Sequence, residues 1–113
     1  MFQKLVEALK ENSSLRTLNI ESNYISGPML RELVAALLVK QKLLEFRAAN
    51  QRPQIMGNRI EMEISKLIQQ NKNILRVGLC FDVPDARTRV SEHLQKNNDN
   101  GLYLIKLFIL NIN

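Results

Sequence analysis

Few side chains of this sequence are of the types and spacing that catalysis needs. Glu61 and Glu63 lie two residues apart on a predicted helix, so they cannot share a helix face as a carboxylate pair. His93 is the only histidine, and nucleophilic catalysis would require a nucleophile and an orienting group beside it. We therefore predict that His93 is a surface or cap residue and that the chain is not an enzyme. The sequence also contains no metal-ligand cluster and no phosphate-binding loop, so no metal or cofactor is predicted.

The single cysteine, Cys80, excludes an internal disulfide, as is usual in a reducing compartment. Alternation along a predicted strand puts Cys80 on the face opposite Val77 and Leu79. There we predict a small packing residue under the last helix rather than a reactive thiol. The sequence shows no signal peptide and no stretch near the roughly 20 apolar residues of a membrane span. These features predict a cytoplasmic protein that does not enter a membrane.

The net charge of +5, from 16 basic and 11 acidic residues, suits a partner with an acidic surface. The basic residues form no continuous run and only 5% of residues are aromatic, which argues against nucleic-acid binding. The segment 40–59 is locally basic. It is interpreted as a solvated face, with a partner contact as the alternative.

A strand pattern that recurs after about 30 residues is the main structural feature of the sequence. It is set by Leu15, Leu18, Ile20 and Asn23. It recurs as Leu43-x-x-Phe46-x-Ala48-x-x-Gln51 and as Ile74-x-x-Val77-x-Leu79-x-x-Asp82. A period of this size is typical of stacked repeats, which usually bind other proteins rather than catalyse.

Helical spacing between the repeats predicts the order helix, strand, helix, strand, helix, strand, helix. The strands are predicted at about 15–20, 43–48 and 75–80, with Asn58 as the N-cap of the third helix and a last helix over about 85–97. Each strand–helix–strand unit is expected to be a right-handed parallel crossover. The predicted fold is therefore an α/β leucine-rich repeat solenoid with a short parallel sheet on the concave side and helices on the convex side. The repeats are assigned to 1–83, a C-terminal capping helix to 84–100 and a divergent apolar tail to 101–113.

The position occupied by Asn23, Gln51 and Asp82 has a predicted structural role. The chain turns sharply after each strand, and a side-chain amide can both donate to and accept from the backbone groups left without partners there. An ionised Asp82 only accepts, which indicates that the third repeat is the least regular.

Several segments of the chain resemble the C-terminal leucine-rich repeat domain of tropomodulins and leiomodins. They are SLRTLNIESNYISG (14–27), EFRAANQ (45–51), MGNRIEMEI (56–64) and VGLCFDVPDARTRVSEHLQKNND (77–99), of which GN-x-x-EMEI and the closing NND are the most specific. The resemblance implies a cytoskeletal actin-binding domain that contributes to capping of the filament pointed end. It also implies that tropomyosin is bound only by an N-terminal half that nothing here matches.

The resemblance places the actin contact on the strand-to-helix loops at 22–27, 51–58 and 81–85 and on the last helix. Loops on a rigid scaffold commonly carry binding residues. The candidate actin-binding residues are Gln51, Arg52, Gln54, Ile55, Met56, Arg59, Arg87, Arg89 and Lys96.

Three points stay open from the sequence: the status of the chain, its function and its tail. The chain starts inside a repeat, so it is expected to be a fragment, a truncated gene product or a short isoform, with weak capping of its own. Its function is alternatively that of a generic protein-interaction module or of a basic surface for nucleic acid. The tail has the composition of an aggregation-prone strand. It is interpreted as a divergent terminus, with packing on the cap and peripheral membrane anchoring as alternatives.

Overall fold

The computed structural model describes residues 2–11, 14–39, 43–49, 51 and 57–112. Helices and strands alternate along these residues, as predicted. The elements are α1 (Phe2–Glu11), β1 (Thr17–Asn19), α2 (Gly27–Val39), β2 (Glu45–Arg47), α3 (Asn58–Gln69), β3 (Arg76–Gly78) and α4 (Pro84–Ile112).

The three strands form one parallel sheet in the order β1-β2-β3. In register, Leu18 lies beside Phe46 and Phe46 beside Val77, so the same position of each repeat occupies the same place in the sheet. The strands are shorter than predicted, but the residues after them continue the pairing: the Ile20 N–H donates to Arg47 O at 2.8 Å, and the Ala48 N–H to Gly78 O at 2.8 Å. This arrangement confirms the leucine-rich repeat fold.

The core lies between the sheet and the helices. Phe46 is 1% exposed and occupies the centre of the inward row of the sheet, whereas Leu18 at the sheet edge is only half-buried. Leu30, Leu33 and Ile64 from the helices are fully buried against that row. The row ends at an edge strand on the Leu18 side, which explains the partial exposure there.

Gln51 confirms the amide role predicted for the residue after each strand. Its Nε2 donates to Ile20 O at 2.8 Å and to Ala48 O at 3.1 Å, and its Oε1 accepts from the Ile25 N–H at 3.2 Å. It thereby ties the first repeat to the second. Asn23 caps only its own turn, donating to Ile20 O at 2.8 Å, and Asp82 is exposed.

The start of α3 differs from the prediction. Asn58 is already inside the helix, and Gly57 takes the N-cap position without a side-chain cap. Gly57 has a φ of 88°, a left-handed conformation that glycine adopts without a steric penalty. The Asn58 prediction was wrong because a residue without a Cβ is favoured at this turn over one with a capping side chain.

The last helix runs well past its predicted end at residue 97 and continues to Ile112. We call residues 84–98 the cap half of α4 and residues 101–112 the tail helix. The described side chains of the tail helix, from Leu102 to Leu110, are exposed, so the alternative in which the tail packs on the cap is not observed for them. None of the helices, over the residues described, has the combined length and apolarity needed to cross a membrane.

Candidate interaction surface

The candidate residues divide between two edges of the solenoid. Because the strands are parallel, their C-terminal ends lie on one edge, which we call the strand-end edge. Gln51, Arg59 and Arg87 lie there, after β2, at the start of α3 and at the start of α4. Arg52, Gln54, Ile55 and Met56 lie outside the described residues.

Arg59 is highly accessible at this edge. Its side chain is 87% exposed, and its Nε donates to Glu63 Oε1 at 3.1 Å, one helical turn along α3. Glu63 also accepts from Arg31 Nη1 on α2 at 2.5 Å. The hydrogen bond from Arg31, followed by that from Arg59, lowers the pKa of Glu63 below its usual value. Arg59 is therefore held in place while most of its guanidinium side chain faces solvent.

Arg87 and Arg89 are used inside the domain. Arg87 donates from Nε and Nη2 to Phe81 O at 3.2 and 3.1 Å, which fixes the turn that leads into α4. Arg89 is half-buried and donates from Nη1 to Ser65 Oγ on α3 at 3.0 Å. Arg87 remains exposed at the strand-end edge, whereas Arg89 belongs to the seam between α3 and α4.

Lys96 lies at the other edge, where the chain returns from α3 to β3. It is exposed and lines an open basin of about 550 Å³. The basin is lined by Gln69, Lys72, His93, Lys96, Asn97 and Asn100. None of these residues is acidic, so the basin suits a carboxylate or another anionic group of a partner.

The exposed face of the sheet carries an ion-pair chain rather than a packing surface. Arg47 Nε donates to Glu21 Oε1 at 2.6 Å, and Arg47 Nη1 lies 3.8 Å from Glu45 Oε2. A Cβ at Gly78, on the next strand, would lie 3.2 Å from Arg47 Cγ, so glycine leaves room for this arginine. Cys80 is exposed, which contradicts its predicted packing under α4. Alternation along the strand puts Cys80 on the outward face of the sheet, away from the helices.

The segment MGNRIEMEI contains a buried carboxylate that the sequence analysis missed. Glu61 is 1% exposed, and its Oε1 accepts a hydrogen bond at 2.9 Å from the N–H of Val83, the residue directly before α4. The pattern GN-x-x-EMEI is thus explained in part by contacts: Gly57 makes the turn, Glu61 holds the start of α4 and Glu63 pairs with arginines. The signal that could have identified Glu61 was its helical spacing with the core residues Ile64 and Ile68.

The C-terminal end of the solenoid, which we call the closing end, is sealed by a polar cluster formed by Asn71, His93 and Asn97. His93 Nε2 lies 2.6 Å from Asn71 O, and Asn97 Nδ2 donates to Asn71 O at 3.1 Å and to Ile74 O at 2.8 Å. Asn71 Oδ1 accepts from the Ile74 N–H at 3.0 Å. His93 is therefore a half-buried cap residue, and Asn97, the first residue of the NND pattern, is explained by carbonyl groups that the third repeat leaves at its end.

The described residues include no group of three or more His, Cys, Asp or Glu placed to hold a metal ion. Together with the sealed closing end, the repeats define a leucine-rich repeat domain with a C-terminal cap, a class that presents loops and edges to partners. The family model described as the TMOD/LMOD leucine-rich domain matches residues 1–100. The chain therefore belongs to the tropomodulin and leiomodin family.

Individual relatives agree with this assignment. Tropomodulin of Caenorhabditis elegans is 43% identical over 93 residues, which are 82% of this chain and 24% of that protein. Human leiomodin-3 is 39% identical over 95 residues, 84% of this chain and 17% of that protein. The chain thus spans about a quarter or less of the length of these two relatives.

Two solved structures share the fold. The C. elegans tropomodulin C-terminal domain superposes with a TM-score of 0.86 at 40% identity and covers 94% of this chain and 63% of that one. Leiomodin-1 actin-binding site 2 superposes with a TM-score of 0.84 at 32% identity, covering 96% and 62%.

Proposed function

We propose that this chain is an actin-binding repeat domain of tropomodulin type that contributes to capping of filament pointed ends. The observation that supports the proposal most directly is its similarity to leiomodin-1 actin-binding site 2 over nearly the whole chain. A cytoplasmic location on the cytoskeleton follows from this role. In this proposal the chain acts by binding, not as an enzyme, and uses no cofactor.

The strand-end edge is the proposed main contact with actin. Arg59 and Arg87 are exposed there, and the segment that contains Arg52, Gln54, Ile55 and Met56 directly precedes the start of α3 in sequence. Gln51 acts in this proposal as a positioning residue at the end of the second repeat's strand, since its amide is engaged with three backbone groups. Arg89 acts as a positioning residue between α3 and α4.

Lys96 is proposed as a secondary contact, because its basin could receive an acidic side chain of a neighbouring actin subunit. Surface ion pairs are worth about 0–1 kcal/mol each, so several must act together. The arginines of the strand-end edge and Lys96 would engage different parts of the filament end.

The proposed mechanism is steric. The domain docks on the terminal subunits and blocks both addition and loss of monomers there. A second actin site and a tropomyosin site on one polypeptide would raise the effective concentration of this domain at the filament end. We assign neither of those sites to the residues described, so we expect the chain alone to cap weakly.

Elongation of pyrene-labelled actin from filaments with blocked barbed ends tests the proposal. Added chain should slow elongation in a dose-dependent manner. No slowing at concentrations far above those at which a full-length relative acts would remove the capping proposal. Cosedimentation with filaments would then show whether the chain binds along the filament side. No binding at all would favour a generic interaction module.

Charge reversal tests the assigned surface. Arg59→Glu combined with Lys96→Glu should weaken the effect on elongation by about tenfold, because two attractive pairs become repulsive. Lys4→Glu combined with Lys10→Glu makes the same charge change on α1, where both lysines are exposed. Equal loss in both variants would point to net charge rather than to the proposed surface.

A further inference from the structure

One aromatic side chain of the strand-end edge is kept out of the core. Tyr24 lies in the turn between β1 and α2 and is 79% exposed. No other large hydrophobic residue in the described part of the chain is exposed to this extent. A single exposed aromatic ring is common on protein surfaces, so its exposure alone indicates nothing. What distinguishes Tyr24 is the turn that carries it.

This turn is held in place on both sides of Tyr24. On the N-terminal side, Asn23 Nδ2 donates to Ile20 O at 2.8 Å. On the C-terminal side, Ile25 is fully buried in the core, and its N–H donates to Gln51 Oε1 at 3.2 Å. The backbone of Tyr24 is therefore fixed between two anchored residues, while its side chain extends into solvent.

The turn also contains a backbone conformation that requires support. Ser22 has a φ of 61°, in the left-handed region that residues with a Cβ adopt rarely. Its N–H donates to Ala49 O at 3.2 Å, which ties the turn to the second repeat. Such conformations persist where the surrounding structure fixes them, and they are concentrated at functional sites. The turn is thus shaped by its neighbours to present the side chain of Tyr24 in one place.

Hydrogen bonds connect this turn to the residues of the proposed actin contact. Gln51 bonds to the backbone on both sides of Tyr24, so the second repeat lies directly beside the turn. The turn leads into α2, where Arg31 donates to Glu63, and Glu63 also accepts from Arg59. Tyr24 and Arg59 therefore belong to one hydrogen-bonded framework that spans neighbouring repeats.

An aromatic ring fixed beside arginines has the properties of a binding hot spot. Hot spots are enriched in tyrosine, tryptophan and arginine, and groups that are already ordered lose little entropy on binding. We propose that Tyr24 anchors the actin contact, with its ring in an apolar pocket of the partner and acidic side chains of that partner beside Arg59. This assignment rests on the proposed function and names an aromatic ring, in addition to the charges, as a main source of affinity.

The ring should contribute more to binding than a single exposed charge does. An ion pair at the rim of an interface is screened by solvent and contributes little by itself. The ring of Tyr24 would instead be transferred from water into the partner, and the free energy of that transfer grows with the apolar area removed from water. Truncation of Tyr24 is therefore expected to have an effect in the range of hot-spot residues.

Elongation of pyrene-labelled actin at pointed ends, with barbed ends blocked, tests the assignment. The measured quantity is the concentration of the whole chain that halves the elongation rate. Tyr24→Ala should raise this concentration at least about tenfold. Tyr24→Phe keeps the ring and should stay within about threefold of the unsubstituted chain. Urea denaturation should give all three the same midpoint, because residue 24 is 79% exposed.

Leu104→Ala is the matched control, since it removes an apolar side chain from a residue that is 64% exposed and lies in the tail helix, outside the strand-end edge. It should stay within about threefold of the unsubstituted chain. Equal weakening by Tyr24→Ala and Leu104→Ala, or by Tyr24→Ala and Tyr24→Phe, would overturn the anchor role of the ring. A lowered urea midpoint for Tyr24→Ala would assign the residue to the fold instead.

The same measurements separate this assignment from the proposed function. A Tyr24→Ala variant as potent as the unsubstituted chain would overturn the anchor role and leave the capping proposal intact. An unsubstituted chain that slows elongation at no concentration would overturn the capping proposal and the anchor role together.

Discussion

The two halves of α4 belong to one continuous helix but have opposite relations to the rest of the molecule. In the cap half, Ala86 and Val90 are buried in the core, and Asn97 donates to backbone carbonyls of the third repeat. In the tail helix, the described side chains from Leu102 to Leu110 are exposed and, apart from Lys106, apolar. The apolar character of a segment thus fails to indicate its burial here: the half with more polar residues is the half that is packed.

The difference shows what determines each half. The cap half is constrained by specific backbone groups at the closing end, so its polar residues are set by geometry. The tail helix is constrained only by helical continuity. Gly101 lies inside α4 without a positive φ, so it does not act as the left-handed residue that usually ends a helix.

Replacement of Glu61 should give the largest effect, because it removes the contact that starts the cap half. Glu61→Ala should lower the free energy of unfolding by about 3 kcal/mol, from the lost hydrogen bond to the Val83 N–H and the cavity left behind. Urea denaturation followed by circular dichroism measures it. Glu61→Gln keeps an acceptor and should lose only about 1 kcal/mol. Equal losses would contradict this assignment, because glutamine keeps both the side-chain volume and an acceptor.

Replacement of Asn97 tests the other end of the cap half. Asn97→Ala should lower the free energy of unfolding by about 2 kcal/mol, because it removes a buried side-chain amide that donates to two carbonyl groups. Asn98→Ala removes the same group from an exposed neighbour and should cost about 0.5 kcal/mol. Urea titrations give the free energies of unfolding of the two variants for comparison. A similar small loss for both variants would contradict the sealing role given to Asn97.

Sequence reasoning predicted the repeats well because their period is imposed by stacking. Phe46 and Gln51 occupy the places that the pattern predicted, in the core and across the turn. It missed Glu61 and the contact of His93 with Asn71, since these depend on groups 22 residues apart whose meeting follows from the stacking distance. It also placed the end of α4 too early. The run from Asn97 to Gly101 resembles a helix end locally, but these asparagines serve the closing contacts instead.

Replacement in the tail helix should have little effect on stability. Leu104→Ser removes an apolar side chain that is 64% exposed, so the free energy of unfolding of the monomer should change by less than about 0.5 kcal/mol. Leu94→Ser makes the same substitution at a half-buried position packed on the core and should cost about 2 kcal/mol. Thermal unfolding at low protein concentration compares the two. A large loss for Leu104→Ser would show that the tail helix contributes to the fold.

The smallest effect is expected at Glu63, which faces away from α4 only two residues after the buried Glu61. Its pKa is lowered first by the hydrogen bond from Arg31 and then by that from Arg59. A lowered folded-state pKa stabilises the fold above the usual value of 4.5, and this contribution is lost as the pH falls through the folded-state pKa. Glu63→Gln should therefore reduce the urea midpoint slightly near neutral pH and match the unsubstituted chain in acid. Glu32→Gln, which removes an exposed carboxylate from α2, should leave the urea midpoint unchanged both near neutral pH and in acid. A difference between Glu63→Gln and the unsubstituted chain that persists in acid would show that Glu63 acts through packing rather than through its charge.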